Sequence, residues 1–316
     1  MNHTPFEKLL NSSPFVLGEG AVIERLRRNV ELELDPYLLN SAFIYDDAKR
    51  DLLESICRQY LDIGRELDVP LLMSTPTWRA SRERIAAAGL SGVDVNGDNF
   101  RFLDRLRESY DGYAEKVAIC GLMSCRGDAY NPAEALTVDQ AQEFHAWQAG
   151  KLADAGVDFL LAVTLPAFSE ASGLALALAA TSRPYMISFI VRPEGTLLDG
   201  TPLNDAIAAI DAVVTPRPLA YMINCTHASF ARAALLHGTN SSPLVRQRVI
   251  GLLANTAALS PEELDESSSL VEEDPELFGR VVAGLHGELG LKILGGCCGT
   301  DERHIRALGR QLVAGG

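Results

Sequence analysis

No apolar run in this sequence is long enough to cross a membrane. The longest stretches, such as GLALALAA (173–180) and DFLLAV (158–163), fall well short of the roughly 20 residues a spanning helix needs. Positive charge is scarce too: 28 Lys and Arg stand against 42 Asp and Glu, a formal charge of −14. That balance argues against a nucleic-acid backbone or an anionic membrane surface as partner. The start, MNHTPFEKLL, lacks a charged-then-apolar leader, and six cysteines in 316 residues do not make a secreted disulfide framework. A reduced, cytoplasmic protein is the expectation. No dinucleotide-type glycine fingerprint follows the first apolar run, and no internal repeat or break in composition divides the chain. One domain over 1–316 is therefore expected, and no persuasive His–carboxylate pair marks it for general acid–base work.

What is present is a regular alternation. Short β-like runs occur at FVLG (15–18), VPLLMS (69–74), KVAICG (116–121), VDFLLAV (157–163), PYMISFI (184–190), LAYMIN (219–224), RVIGLLAN (248–255) and LKILGG (291–296). Between most of them lie helix-length segments, such as 47–67 and 137–156, whose apolar residues recur every three or four positions. The second opens on Thr137 or Asp139 as cap and stops at Gly156. Eight strands each followed by a helix predict an α/β fold, a single-domain (β/α)8 TIM barrel, with an open doubly wound sheet as the alternative. The acidic, serine-rich stretch 260–279 reads as a solvated loop or short polar helix without chemistry.

In a barrel the active site lies at the C-terminal ends of the strands. LKILGGCCGT puts Cys297 and Cys298 directly after the eighth strand, and AYMINCTHASF puts Cys225 directly after the sixth. Adjacent strand residues face opposite ways, so Cys297 and Cys298 share a target only if the backbone leaves the strand there; Gly295, Gly296 and Gly299 permit that. Cys57 falls in a helical pattern and Cys120 within the third strand, as small buried hydrophobes. Cys125, in the loop that follows, is open to either reading. Three thiolates suit zinc, and three protein ligands leave a fourth position for a reactant. Spacing alone leaves open a strained vicinal disulfide between Cys297 and Cys298, or inert buried thiols.

GGCCGT, with an NC pair two strands earlier, resembles the zinc-dependent homocysteine S-methyltransferases. GEGA (18–21), STPTWRAS (74–81) and LPAFSEASG (165–173) extend the resemblance over nearly the whole chain. It implies a (β/α)8 barrel and a zinc ion held by Cys225, Cys297 and Cys298. It also implies substrate contacts from Glu19, where the family has an aspartate, from Thr75 and Thr77, and from Asn224. The implied partners are a small-molecule thiol and a methyl donor of the S-methylmethionine or betaine type. No catalytic residue beyond the zinc site is needed, because a zinc-bound thiol is already deprotonated. His227 reads as a solvated loop residue.

Two departures bear on substrate. Val163 stands at the end of the fourth strand where the family carries a glutamate, which removes a charge for binding an ammonium. Glu19 replaces aspartate, and the glycine-threonine that normally follows is missing. Homocysteine is the default acceptor. The alternatives are a thiol lacking the amino group, a non-catalytic zinc- or thiol-binding relative, or a zinc hydrolase, which would normally use His and carboxylate ligands.

Overall fold

The computed structural model describes residues 4–28, 32–259, 263 and 273–315. Eight parallel strands close into one barrel in sequence order: β1 (Val16–Gly18), β2 (Leu71–Ser74), β3 (Val117–Ser124), β4 (Phe159–Leu165), β5 (Tyr185–Phe189), β6 (Ala220–His227), β7 (Val249–Asn255) and β8 (Ile293–Gly296). Closure comes from β1 pairing with β8 through Val16↔Ile293 and Leu17↔Leu294. This is the (β/α)8 barrel expected from the sequence, and the open sheet is excluded.

The strand periodicity of two sorts the apolar residues. Val16, Leu72, Phe159, Leu161, Met186, Met222 and Ile293 fill the interior, while Leu17, Leu71, Ile119, Leu160 and Ile187 meet the surrounding helices. The helix Asp47–Leu67 starts where the Asp46 carboxylate accepts the Lys49 N–H, and stops at left-handed Asp68. In the helix Val138–Ala155 the cap is Thr137 rather than Asp139: its hydroxyl and Gln140 form a reciprocal capping box, and Gly156 ends it at φ 99°. The N-terminal helix Pro5–Ser12 plugs the barrel's other end, with Phe6 stacked on Phe159 at 3.8 Å.

Three strands run past their expected ends, β3 to Ser124, β4 to Leu165 and β6 to His227, so Cys225 lies within β6 rather than after it. Of the stretch 260–279, residues 260–262 and 264–272 lie outside the described residues, and Pro275–Gly279 open the helix Pro275–Leu289. Among the described residues no helix is long and apolar enough to cross a membrane.

Candidate active site and metal centre

A cavity of about 690 Å³ opens at the C-terminal ends of the strands. Its floor is apolar: Leu72, Leu122, Val163 and Leu253 line it from four strands. β1 and β8 approach closely beside it, because neither carries a side chain at the contact: a Cβ on Gly295 would lie 2.7 Å from the Gly18 Cα.

Three sulfurs meet in this cavity. The Sγ atoms of Cys225, Cys297 and Cys298 all lie within 4.8 Å of one another, with Cys225 and Cys297 2.8 Å apart. A tetrahedral ion with sulfur at about 2.3 Å sets its ligands about 3.8 Å apart. The cluster is gathered closely enough for that spacing, so the donor set fits such an ion. β8 ends one residue before Cys297, and the chain turns at once: the Thr300 N–H and hydroxyl both donate to the Cys297 carbonyl, at 3.2 and 2.7 Å. Gly299 takes φ 87°, a conformation few other residues adopt without strain. This is how adjacent cysteines come to share one target. The turn is pinned on both sides: Cys297 N–H donates to Ala254 O at 2.7 Å and Thr256 N–H to Cys298 O at 3.1 Å, and Gly299 N–H donates to the Glu24 carboxylate. Without a metal, hydrogen bonds from Cys225 and then Cys298 hold the Cys297 thiol well below its ordinary pKa. The bond to Cys297, ahead of burial, pushes Cys225 the other way.

The remaining sequence-based candidates divide. Glu19 lines the cavity; its Oε1 accepts the Ser74 N–H at 2.9 Å. Its buried Oε2 has no partner among the described residues. Burial raises its pKa to about 8, against the opposing bonds from Ser74. Val163, 6% exposed, belongs to the floor and also joins the inner core. Asn224 lines the cavity, but its Oδ1 is taken by Thr164 N–H and the Ser188 hydroxyl. Thr75 lines it as well, whereas Thr77 does not. Their hydroxyls bond each other at 2.7 Å, and Thr77 donates to Leu122 O at 2.8 Å. The pair fastens the loop after β2 to β3, so Thr77 is too committed to meet a substrate.

His227 is not solvated. It is 9% exposed and caps the helix Ala228–Leu236, with its Nδ1 accepting the Ser229 N–H at 3.3 Å. Burial lowers its pKa, opposed by the Glu273 carboxylate 3.8 Å away. Cys57 and Cys120 are buried in helix and strand as expected. Cys125 is buried in the loop after β3, its thiol 3.6 Å from Gly127 O.

Tyr130, Trp78 and Asn255 are among the lining residues that sequence reasoning missed. Tyr130 is carried in by the loop 125–136, which is tied down from two sides. Glu170 accepts the Arg126 and Leu136 N–H groups at 2.7 and 3.2 Å, and Arg79 donates to the carbonyls of Cys125, Arg126 and Gly127. Burial, then the charge of the three cysteines, pushes the Tyr130 phenol far up. Trp78 sits in the quoted STPTWRAS; its indole N–H donates to Thr164 Oγ1 at 3.3 Å. Asn255 ends β7; it is 1% exposed, and both atoms of its carboxamide lack partners among the described residues. A polar residue at a barrel strand end was signal enough for Asn255; nothing local marks Tyr130.

An eight-stranded barrel with three thiols gathered at its catalytic face defines a class, the barrels equipped for sulfur-bound metal. The comparisons narrow it. The sequence model of the homocysteine S-methyltransferase family matches residues 16–312, and the chain belongs to that family of transferases. It is similar to the homocysteine S-methyltransferase of Escherichia coli (strain K12), with 28% identity covering 97% of this chain and 98% of that protein. Betaine–homocysteine S-methyltransferase 1 of Bos taurus is 23% identical over 96% of this chain and 74% of its own length. Among solved structures, the oxidized form of the homocysteine methyltransferase MmuM from Escherichia coli superposes with a TM-score of 0.78, at 24% identity, over 98% of this chain and 100% of that one. The metallated form gives 0.74, at 23% identity, over 97% and 99%.

Proposed function

We propose that the protein is a zinc-dependent thiol S-methyltransferase, with homocysteine as acceptor and a cationic methyl donor of the S-methylmethionine or betaine type. The observation that carries this reading is the convergence of three cysteine sulfurs from two strand ends in one cavity. Cys225, Cys297 and Cys298 would hold the zinc ion, which when bound would supply the Lewis acidity that lets the acceptor's thiol lose its proton to solvent and react as a thiolate. The thiolate then forms its bond to the donor's methyl carbon, and the donor's S–C or N–C bond breaks with its electron pair staying on the donor. The products are methionine and a neutral sulfide or amine.

The chain's other residues orient and shield. The floor of Leu72, Leu122, Val163 and Leu253 excludes water, which keeps a thiolate unsolvated and reactive. Oε2 of Glu19 and the free carboxamide of Asn255 offer the polar contacts for the acceptor's ammonium and carboxylate. Trp78 and Tyr130 line the cavity and would offer aromatic surface to a methylated cation. With free thiols throughout, we place the protein in the reducing cytoplasm.

Val163 favours a second acceptor class, a thiol with no amino group, because an isopropyl group makes no bond to an ammonium. The experiment is methyl transfer by zinc-loaded protein from S-methylmethionine, and separately from betaine, to homocysteine and to 4-mercaptobutyrate. Methionine formation supports the first reading, and turnover of 4-mercaptobutyrate alone supports the second. Zinc-edge X-ray absorption should show the sulfur count rise from three toward four on adding the acceptor. One bound zinc without transfer to either thiol would leave a non-catalytic metal-binding relative.

A further inference from the structure

Two residues inside strands hold a left-handed backbone, Thr164 in β4 at φ 56° and Cys225 in β6 at φ 50°. Neither is glycine, and a β-branched residue is among the least suited to this conformation. Each kink breaks its ladder. The pairing of β4 with β5 shifts between Ala162 and Leu165, and that of β6 with β7 between Asn224 and Thr226. In an unbroken strand one of two neighbours faces away. Here Val163 and Thr164 both line the cavity, and so do Asn224 and Cys225.

The kinks are not on adjoining strands, since β5 lies between them. One side chain joins them. Asn224 Oδ1 accepts the Thr164 N–H at 2.9 Å and the Ser188 hydroxyl at 2.7 Å, thereby spanning β4, β5 and β6. A buried N–H removed from its ladder needs another acceptor, and Asn224 provides it. On the far side, Thr164 Oγ1 meets the Ser124 hydroxyl at 3.1 Å and the Trp78 indole N–H at 3.3 Å. A polar chain thus runs from Trp78 through Thr164 to Asn224, and by one peptide bond to Cys225.

We propose that Asn224 is a positioning residue that couples the metal corner to the acceptor floor. Its carboxamide oxygen fixes the kink at Thr164, and its own backbone fixes the kink that aims Cys225 at Cys297. The inference rests on the reading of Cys225 as a metal ligand. It differs from the implied role of Asn224 as a substrate contact, because the oxygen is already occupied by protein donors.

The test uses the full chain and compares Asn224→Leu, which deletes the oxygen at similar volume, with Asn224→Asp, which keeps it. Zinc affinity is read by chelator competition on protein whose fold is verified by circular dichroism, with no methyl transfer involved. Asn224→Leu should bind zinc about ten- to a hundredfold more weakly, the usual loss when a ligand's support is removed, and should raise the homocysteine KM. Asn224→Asp should stay within about threefold of the parent in both, and Ser188→Ala, which removes one of the two bonds, should fall between. Should Asn224→Leu fail to fold, Ser188→Ala carries the test alone, and parental zinc affinity there overturns the proposal. A folded Asn224→Leu with parental zinc affinity and only a lowered Tm would also overturn it, reducing Asn224 to a buried structural amide. Asn224-dependent zinc binding in a protein that methylates no thiol supports the coupling while refuting the proposed activity.

Discussion

The cavity has two sides built in opposite ways. Around the sulfurs, the backbone is bonded at every turn: Cys297 to Ala254 and Thr300, Cys298 to Thr256, Gly299 to Glu24. On the acceptor side, among the described residues, Glu19 keeps one buried oxygen unpartnered, Asn255 keeps its whole carboxamide so, and Val163 presents only methyl groups. The first arrangement holds a fixed geometry before anything binds. The second leaves its polar atoms for a ligand to satisfy, because a buried polar atom without a partner costs about 1–3 kcal/mol. The two sides thus do different work, one fixing metal geometry and the other setting acceptor preference, with Asn224 as the proposed link between them.

The comparison breaks most sharply at the cysteines. Serine at Cys225, Cys297 or Cys298 should each abolish stoichiometric zinc and methyl transfer, as metal analysis and thiol assays would report. Cys120→Ala should retain one zinc per chain, since that thiol is buried within β3 away from the cavity lining. Zinc surviving through sulfur in Cys298→Ser would dissolve the distinction between the two sides.

An intermediate effect is expected at Val163. A carboxylate there would add a charge-assisted bond of about 1.5–3 kcal/mol to an ammonium. Val163→Glu should shift preference toward homocysteine over 4-mercaptobutyrate by about ten- to a hundredfold, with zinc content unchanged. An unaltered preference, with homocysteine already bound tightly by the parent, would assign the ammonium to Glu19 and Asn255 instead. Asn255→Leu should then raise the homocysteine KM by about tenfold, the worth of one hydrogen bond to a charged group.

The smallest effect is a pH dependence. The Glu19 pKa is raised from 4.5 to about 8 by burial, so between those values the folded state holds a proton that the unfolded chain has released. Stability from this group is greatest at low pH and declines as pH rises toward about 8. Glu19→Gln should flatten the fall of Tm across that window. An ammonium placed against Glu19 favours its anion, so homocysteine affinity should rise with pH toward 8 in the parent and lose that rise in Glu19→Gln. Parallel Tm profiles for the two proteins would remove Glu19 from the group of unpaired acids.

The barrel was legible because all eight strands are short apolar runs bounded by helical periodicity, a local signal. The expected runs 69–74 and 291–296 end where β2 and β8 end. The cysteine cluster was legible because strand ends in a barrel share one face. What escaped was non-local or polar. β3, β4 and β6 were read too short because Ser124, Thr164, Thr226 and His227 resemble loop residues, although each continues a strand. Thr77 matched a motif, yet its hydroxyl is used by Leu122, 45 positions away. Tyr130 reaches the cavity through a loop whose course depends on Glu170 and Arg79, and the left-handed backbone at Cys225 carries no glycine to signal it.

The two thiols that lie nearest each other, Cys225 and Cys297, are 72 positions apart in the chain, with all of β7 between them. An ion held by both would act as a cross-link that closes this segment into a loop. Restricting the unfolded chain by a cross-link of that span corresponds to about 4 kcal/mol in the loop-entropy treatment. Removing the metal would therefore lower the stability of the fold as well as silence its chemistry.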